Sequence, residues 1–293
     1  MKYITIPSTT IDEEKFHWIP NADWDASVQK KTYFFLSGLP RSGTTLLGAI
    51  LEQNPDIYVG PTSPVLDFLV SFDNVFNPNR NLFQAFPKED FRIRTLSRIP
   101  DDWYSDVDSS IIIDKNRGWP RAIPYAKLFT DNIKIICTVR SVLEILSSWI
   151  LLNRKSPDSF IDKGLKKLNL TLTDDNRCEY LMQEESGDVE QALYSLKSGF
   201  TDHSNFLHLI EYDDLINDTK NTINGIYNFL DLPTYKHKYD NIGHINQEND
   251  MIHGMPEMHN VKSTISRSEN NPLDILSNNI IKKYSDLEFW RNK

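Results

Sequence analysis

Four short stretches of the chain are almost wholly apolar: residues 33–36, 111–113, 133–139 and 206–210. Between them apolar positions recur every three or four residues, which predicts helices over 44–53, 119–129, 142–152, 189–198 and 219–230. Strands apolar on both faces, alternating with amphipathic helices, predict a parallel sheet covered by helices on both sides. The expected fold class is α/β. In such sheets ligands bind beyond the carboxyl ends of the strands. The residues that follow positions 36, 113 and 139 are therefore the first candidates for chemistry.

Turn and cap signals divide the remainder. Ser141-Val142-Leu143-Glu144 reads as a capping box that starts a helix directly after Arg140. Leu230-Asp231-Leu232-Pro233 ends another, because the residue before a proline resists the helical conformation. Segments 72–110, 153–186 and 236–268 read as irregular, aromatic or polar, and at the ligand edge such insertions serve as lids and substrate walls. No repeat or low-complexity tract interrupts the chain. A single domain over 1–293 is expected, with 1–31 as an N-terminal extension and 236–268 as a lid.

Composition narrows the class. Of 293 residues, 39% are hydrophobic and 25% charged, which suits a packed core. No apolar run approaches the roughly 18 residues of a membrane span. Met1-Lys2-Tyr3-Ile4-Thr5-Ile6-Pro7 lacks the apolar centre of a signal peptide. The two cysteines, Cys137 and Cys178, suggest no disulfide framework, so a cytoplasmic setting is expected. The formal net charge of −9 argues against nucleic acid as a partner, although a local basic cleft can still take an anionic cofactor.

The chemistry starts at Gly38-Leu39-Pro40-Arg41-Ser42-Gly43-Thr44-Thr45. An apolar strand precedes it and a helical pattern follows, which is the architecture of a phosphate cradle. The spacing is that of a nucleotide-binding P-loop, G-x-x-x-x-G-K-[ST], with Thr44 in the place of the lysine. Arg41 puts a guanidinium inside the loop instead. Such a loop suits a phosphate held by backbone N–H groups, hydroxyls and one arginine better than a magnesium-bound triphosphate. A second phosphate group can sit after residue 139. Arg140 stands at the helix entrance and Ser148, eight residues on, shares its face two turns later. Asp114-Lys115-Asn116-Arg117-Gly118-Trp119-Pro120 adds charge at the same sheet edge.

The string LPRSGTTLL resembles the loop that holds the 5′-phosphosulfate of 3′-phosphoadenosine 5′-phosphosulfate (PAPS) in sulfotransferases, and the strand-Arg-x7-Ser pattern resembles their 3′-phosphate site. Asp114 to Trp119, Pro61-Thr62-Ser63-Pro64, Tyr239-Asp240-Asn241 and the stretch from Gly254 to Lys262 look like a bacterial branch of that family. Glu211-Tyr212-Asp213-Asp214-Leu215, followed by Asn228-Phe229-Leu230, looks like a further family segment. The resemblance implies a PAPS donor. It places Arg41, Ser42, Gly43, Thr44 and Thr45 at the 5′-phosphosulfate, and Arg140 and Ser148 at the 3′-phosphate. It sets Tyr212 along the nucleotide, with Lys262 and Arg267 closing over it. Lys115 would stabilise the leaving oxygen.

The family's general bases are absent. Tyrosylprotein-type enzymes carry a glutamate shortly after the glycine that Gly60 matches, but Pro61 and Thr62 follow here. Steroid and phenol enzymes carry a histidine where Arg117 stands, and arginine stays protonated. The candidates are then His259, Asp67 and Asp114. His259 is preferred for its intrinsic pKa, and Asp114 could instead orient Arg117 or Lys115.

His237, His244, His253 and His259 are spaced by seven, nine and six residues, which fits no common zinc pattern, so no metal is expected. Trp103, Tyr104 and Trp119 could wall an acceptor pocket. The acceptor could be a small molecule, a carbohydrate or a peptide, and a homodimer is allowed. Two other readings stay open: a P-loop kinase or other NTP phosphotransferase, and a nucleotide-binding protein without catalysis.

Overall fold

The computed structural model describes residues 31–76, 85–243, 248–256, 258–267 and 270–291. Five strands form one sheet: β1 (Thr32–Gly38), β2 (Ile57–Tyr58), β3 (Ile111–Lys115), β4 (Ile135–Val139) and β5 (Leu207–Glu211). Their order is β2-β3-β1-β4-β5, and every pairing is parallel. β1 runs beside β3 from Thr32↔Ile111 to Leu36↔Lys115, and beside β4 from Phe35↔Ile135 to Gly38↔Thr138. The chain lays β2 and β3 on one side of β1 and then crosses to β4 and β5 on the other. That reversal makes β1 the topological switch point, where a crevice opens at the carboxyl edge.

The apolar runs of β1, β3 and β4 are buried on both faces, as the absence of polar alternation predicts, whereas edge strand β5 fully buries only Ile210. Tyr33 and Phe35 enter one core with Ile112, Ile135, Cys137 and Val139. Phe34 and Leu36 enter the other with Ile113 and Ile136. Complete burial of one such side chain contributes about 1.5–3 kcal/mol. The second core is closed by α1 (Thr44–Leu51) and by α10 (Thr219–Leu230), through Leu47, Ile50, Ile223 and Ile226. The first is covered by α5 (Val142–Arg154) and α8 (Asp188–Asp202), through Ile145, Trp149, Leu193 and Leu196. Among the described residues the remaining α-helices are, in chain order, α2 (Val65–Val75), α3 (Glu89–Trp103), α4 (Ile123–Ala126), α6 (Phe160–Lys167), α7 (Asp174–Leu181), α9 (Tyr212–Asn217) and α11 (Asn278–Tyr284).

Some local expectations are corrected. The helix expected over 119–129 is a 3-10 turn, Trp119–Arg121, followed by the short α4, because Pro120 and Pro124 each start a fresh turn. Segment 72–110 holds the end of α2 and all of α3. Segment 153–186 holds α6 and α7, tied together by Asp162. That buried carboxylate accepts from Arg177 at 2.8 and 3.1 Å and from Asn153 at 3.0 Å. Burial would raise its pKa, but these partners hold it below the ordinary carboxylate range. The capping box at Ser141 does not form, since Ser141 makes no side-chain cap bond. Glu144 is drawn to Arg140 instead, and the Val142 N–H donates to Glu288 at 3.2 Å.

Residues 31–293 cluster as one compact unit. The N-terminal extension up to residue 30, His244 and Glu257 lie outside the described residues. Among the described residues no helix is long and apolar enough to cross a membrane.

Candidate active site

The cradle is built by three backbone choices, one at the last residue of β1 and two in the loop after it. Gly38 has φ +151°, and a Cβ there would stand 2.2 Å from Thr138 Oγ1 and 2.6 Å from Thr138 O, so only glycine lets the loop lie against β4. Arg41 takes the left-handed conformation at φ 61°. Gly43 does so at φ 92° as the N-cap of α1. No side chain caps α1. The N–H groups of its first turn, at Thr44 and Thr45, have no carbonyl a turn earlier to bond and point out of the helix end, as an anion site requires.

Two arginines and a serine meet over this cradle. Arg41 Nε donates to Ser148 Oγ at 3.2 Å, and its NH1 donates to the Met258 carbonyl. Arg140 NH1 donates to the Arg41 carbonyl at 3.0 Å, and its Nε to Glu144 at 3.1 Å. Its guanidinium carbon lies 4.2 Å from the centre of the Tyr212 ring. Burial, and then the neighbouring charge of Arg140, hold Arg41 below its ordinary pKa. A bound anion would relieve that repulsion. Arg267 reaches Glu144 at 3.2 Å and Asp213 at 3.2 Å, so it stands behind Arg140.

The third group sits at the end of β3. Lys115 Nζ donates to Glu248 Oε1 at 2.7 Å. The same oxygen accepts from Thr62 N–H at 2.9 Å and Thr62 Oγ1 at 3.1 Å. Glu248 Oε2 lies 3.4 Å from His259 Nε2. His259 Nδ1 pairs with Asp250 Oδ1 at 2.6 Å, while the His259 backbone N–H donates to Asp250 Oδ2 at 2.8 Å. Burial works against the Glu248 anion, but Lys115 and Thr62 hold its pKa at about 2. Burial moves His259 the other way, below its ordinary range, and Lys115 adds to this while Asp250 and Glu248 oppose it. The net direction favours the uncharged imidazole.

Arg41, Arg140, Ser148, Lys115, Thr62 and His259 line one cleft of about 570 Å³ at the switch point. Arg41, Lys115, Arg117, Arg140, Lys155 and Lys262 contribute cations to its wall, and among the described residues no Asp or Glu does. Gly43, Thr44, Thr45, Ser148, Tyr212 and His259 line it as well. Pro256 and the residues from Met258 to Ser266, held down by Arg41 and Asp250, form its C-terminal wall.

Four sequence expectations end up elsewhere. Ser42 is fully buried and faces β4: its hydroxyl meets Thr138 O at 3.1 Å and Thr138 Oγ1 at 2.6 Å, so it locks the loop rather than facing the cleft. Asp67 is exposed on α2 and does not line the cleft. Asp114 points to the opposite face of β3 from Lys115, where Tyr104 and Trp119 Nε1 each donate to it at 2.6 Å, so it orients neither Lys115 nor Arg117. Trp119 is wholly buried, Tyr104 nearly so, and exposed Trp103 packs on Phe68; none of the three lines the cleft. Conversely, Glu248 and Asp250 escaped the sequence reading. The only signal was an acid-rich Gln247-Glu248-Asn249-Asp250 run shortly before His259.

Among the described residues the histidines do not converge. His237 meets the Tyr227 hydroxyl at 3.0 Å, and His253 packs on Phe160. Asp250 and Glu248 flank opposite ring nitrogens of His259, so they share no common point. Among the described residues no group of three or more ligands is placed to hold a metal.

A strand–loop–helix turn beneath a cationic wall, at the switch point of a parallel sheet, defines an α/β protein of the P-loop-like kind. Residues 34–236 match the profile of the sulfotransferase family, and the chain belongs to that family. Its backbone is similar to that of mouse sulfotransferase SULT7A1 complexed with PAP, with a TM-score of 0.50, 13% identity and coverage of 88% of this chain and 83% of that one. It is also similar to a sulfotransferase from Alicyclobacillus acidocaldarius (TM-score 0.44, 15% identity, 75% and 88% covered). A third likeness is the sulfotransferase domain of the Synechococcus PCC 7002 olefin synthase (TM-score 0.41, 17% identity, 92% and 85% covered). At these identities the likeness concerns the fold. No curated protein matches the chain.

Proposed function

We propose that this protein transfers a sulfuryl group from PAPS to a hydroxyl or amine of an acceptor, by in-line displacement and without a metal. The observation that carries this reading is the cleft wall: six cationic side chains and, among the described residues, no carboxylate, on an otherwise acidic chain. A dianionic or more highly charged ligand is what such a wall favours. The residues present fit the donor. Arg41 and the N–H groups at Gly43, Thr44 and Thr45 would hold its 5′-phosphosulfate. Arg140 and Ser148 would hold the 3′-phosphate, with Tyr212 beside the nucleotide and Lys262 on the rim.

The donor supplies an activated sulfuryl group whose departure leaves negative charge on the bridging oxygen. Lys115 would neutralise that charge as it develops. His259, uncharged and with Nδ1–H turned to Asp250, would present Nε2 to take the acceptor's proton. Asp250 fixes that tautomer. Calorimetric titration with the bisphosphate product, 3′-phosphoadenosine 5′-phosphate (PAP), in chelator and without magnesium tests the reading. Micromolar binding that weakens at least about tenfold in Arg41→Ala and Arg140→Ala is expected. No binding, or binding of magnesium-ATP alone, would put the phosphotransferase reading first.

A further inference from the structure

The turn Gly60-Pro61-Thr62 carries no carboxylate of its own, yet the fold brings one to it from 186 positions away. Glu248 accepts from both the N–H and the hydroxyl of Thr62. Its side chain is only 14% exposed. It does not line the cleft, whereas Thr62, Lys115 and His259 all do. It therefore stands directly behind the wall and touches three wall residues at once.

The two carboxylate oxygens have different neighbours. Oε1 is taken by Lys115 Nζ at 2.7 Å and by Thr62. Oε2 has the imidazole Nε2 opposite it at 3.4 Å. If the Nδ1 proton is on the Asp250 side, Nε2 is a bare lone pair facing an anion. Neither atom offers the other a proton, so this contact gains strength only once Nε2 is protonated. An imidazolium there lies between two carboxylates, Asp250 on Nδ1 and Glu248 on Nε2.

Resting on the sulfotransferase reading above, we propose that Glu248 is a positioning residue that couples Lys115 to His259. One oxygen aims the ammonium at the leaving-group side of the cleft, and the other stabilises His259 after it has accepted the proton. The coupling has a direction. When Lys115 turns from Glu248 toward an anion in the cleft, the Glu248 charge loses its main compensation. His259 then faces a stronger negative field and binds its proton more tightly. The two halves of the transfer, neutralising the leaving oxygen and removing the acceptor proton, would assist each other through this carboxylate. The charged groups that face His259 are Asp250 and Glu248 from its own segment and Lys115 from β3. Arg41, from the loop after β1, stands within the field of Asp250.

The test follows the His259 imidazole by NMR from about pH 5 to pH 8 in the whole protein, its resonance assigned by loss in His259→Gln. In Glu248→Gln the amide keeps an oxygen for Thr62, and the His259 titration should move down by at least about half a unit, a roughly threefold loss of proton affinity. Lys115→Met should move it the other way, since it removes the opposing cation and leaves Glu248 uncompensated. That variant reads the same coupling if Glu248→Gln fails to fold. An unmoved titration in whichever of these variants is folded would overturn the proposal. PAP calorimetry on the wild type runs beside it. PAP binding with an unmoved titration would overturn the coupling alone. Absence of PAP binding would overturn the donor reading, and with it the catalytic use of the coupling.

Discussion

The guanidinium carbon of Arg140 lies over the Tyr212 ring, 4.2 Å from its centre, while its NH1 donates to the Arg41 carbonyl at 3.0 Å. Arg140 is only 9% exposed, so its orientation is set by these contacts and by Glu144 before any ligand arrives. A lysine would keep the charge and lose the fork and the stacking plane. Arg140→Lys should weaken PAP binding about tenfold or more by calorimetry. Tyr212→Phe should leave it within about twofold, and Tyr212→Leu should cost about 0.5–2 kcal/mol. Equal affinities in all three variants would show that the stacked pair does not shape the site.

Gly38 is where the cradle depends on the absence of a side chain. A methyl group there would overlap both the hydroxyl and the carbonyl of Thr138, at a φ that L-residues avoid. Relief requires β1 and β4 to part at the point where Ser42 also binds Thr138. Gly38→Ala should lower stability by about 2–4 kcal/mol and abolish PAP binding at temperatures where the variant is still folded. Thermal unfolding and calorimetry on one preparation check both parts.

The cradle was legible because everything that makes it is local. A strand run, two glycines at fixed spacing and the Arg-Ser-Gly-Thr-Thr string lie within a dozen residues. Lys115 and Arg140 were legible for the same reason, since each ends an apolar strand and parallel pairing carries both to one edge. Asp114 was misjudged by one step of the pleat: alternate residues face opposite sides, and it serves the core that Trp119 fills. Helices α3, α6 and α7 were missed because their charged and polar content hides the apolar stripe, and a proline stands inside α3. Glu248 was legible only as one acid of a run before His259. Its other partners, Lys115 and Thr62, lie 133 and 186 positions away, and no spacing rule connects them.

Asp67 gives a control. It is exposed on α2 and does not line the cleft. Asp67→Asn should leave PAP affinity, thermal stability and sulfuryl transfer unchanged within about twofold. A large loss of transfer alone would return it to the list of bases.

Glu248 also makes stability depend on pH. Its folded pKa is about 2 against an ordinary 4.5, so the folded state favours the anion. The sign follows: the contribution is fully present above about pH 4.5 and is lost as pH falls toward 2. Its size is at most about 3 kcal/mol, with the side chain largely shielded from solvent. Urea unfolding of wild type and Glu248→Gln should show the larger gap at pH 7 and a clearly smaller one near pH 3.5. A gap of equal size at both pH values would mean that the carboxylate's charge is not what Lys115 and Thr62 stabilise.

The pH profile of transfer, followed with radiolabelled donor once an acceptor is found by screening, ties these groups together. His259 must be uncharged to accept a proton, and its pKa lies below the ordinary 6.5 through burial. The rate should therefore rise with pH along a limb centred below 6.5 and be flat at neutrality. His259→Gln should abolish that limb and lower kcat by about 10²–10⁴, with PAP affinity retained, because Arg41 and Arg140 hold the nucleotide without it. Asp250→Asn separates orientation from charge. Asp250 raises the His259 pKa, so its loss should move the limb to still lower pH. It should also lower the plateau, because nothing then fixes the proton on Nδ1. A limb that stays in place in both variants would assign the proton to another group.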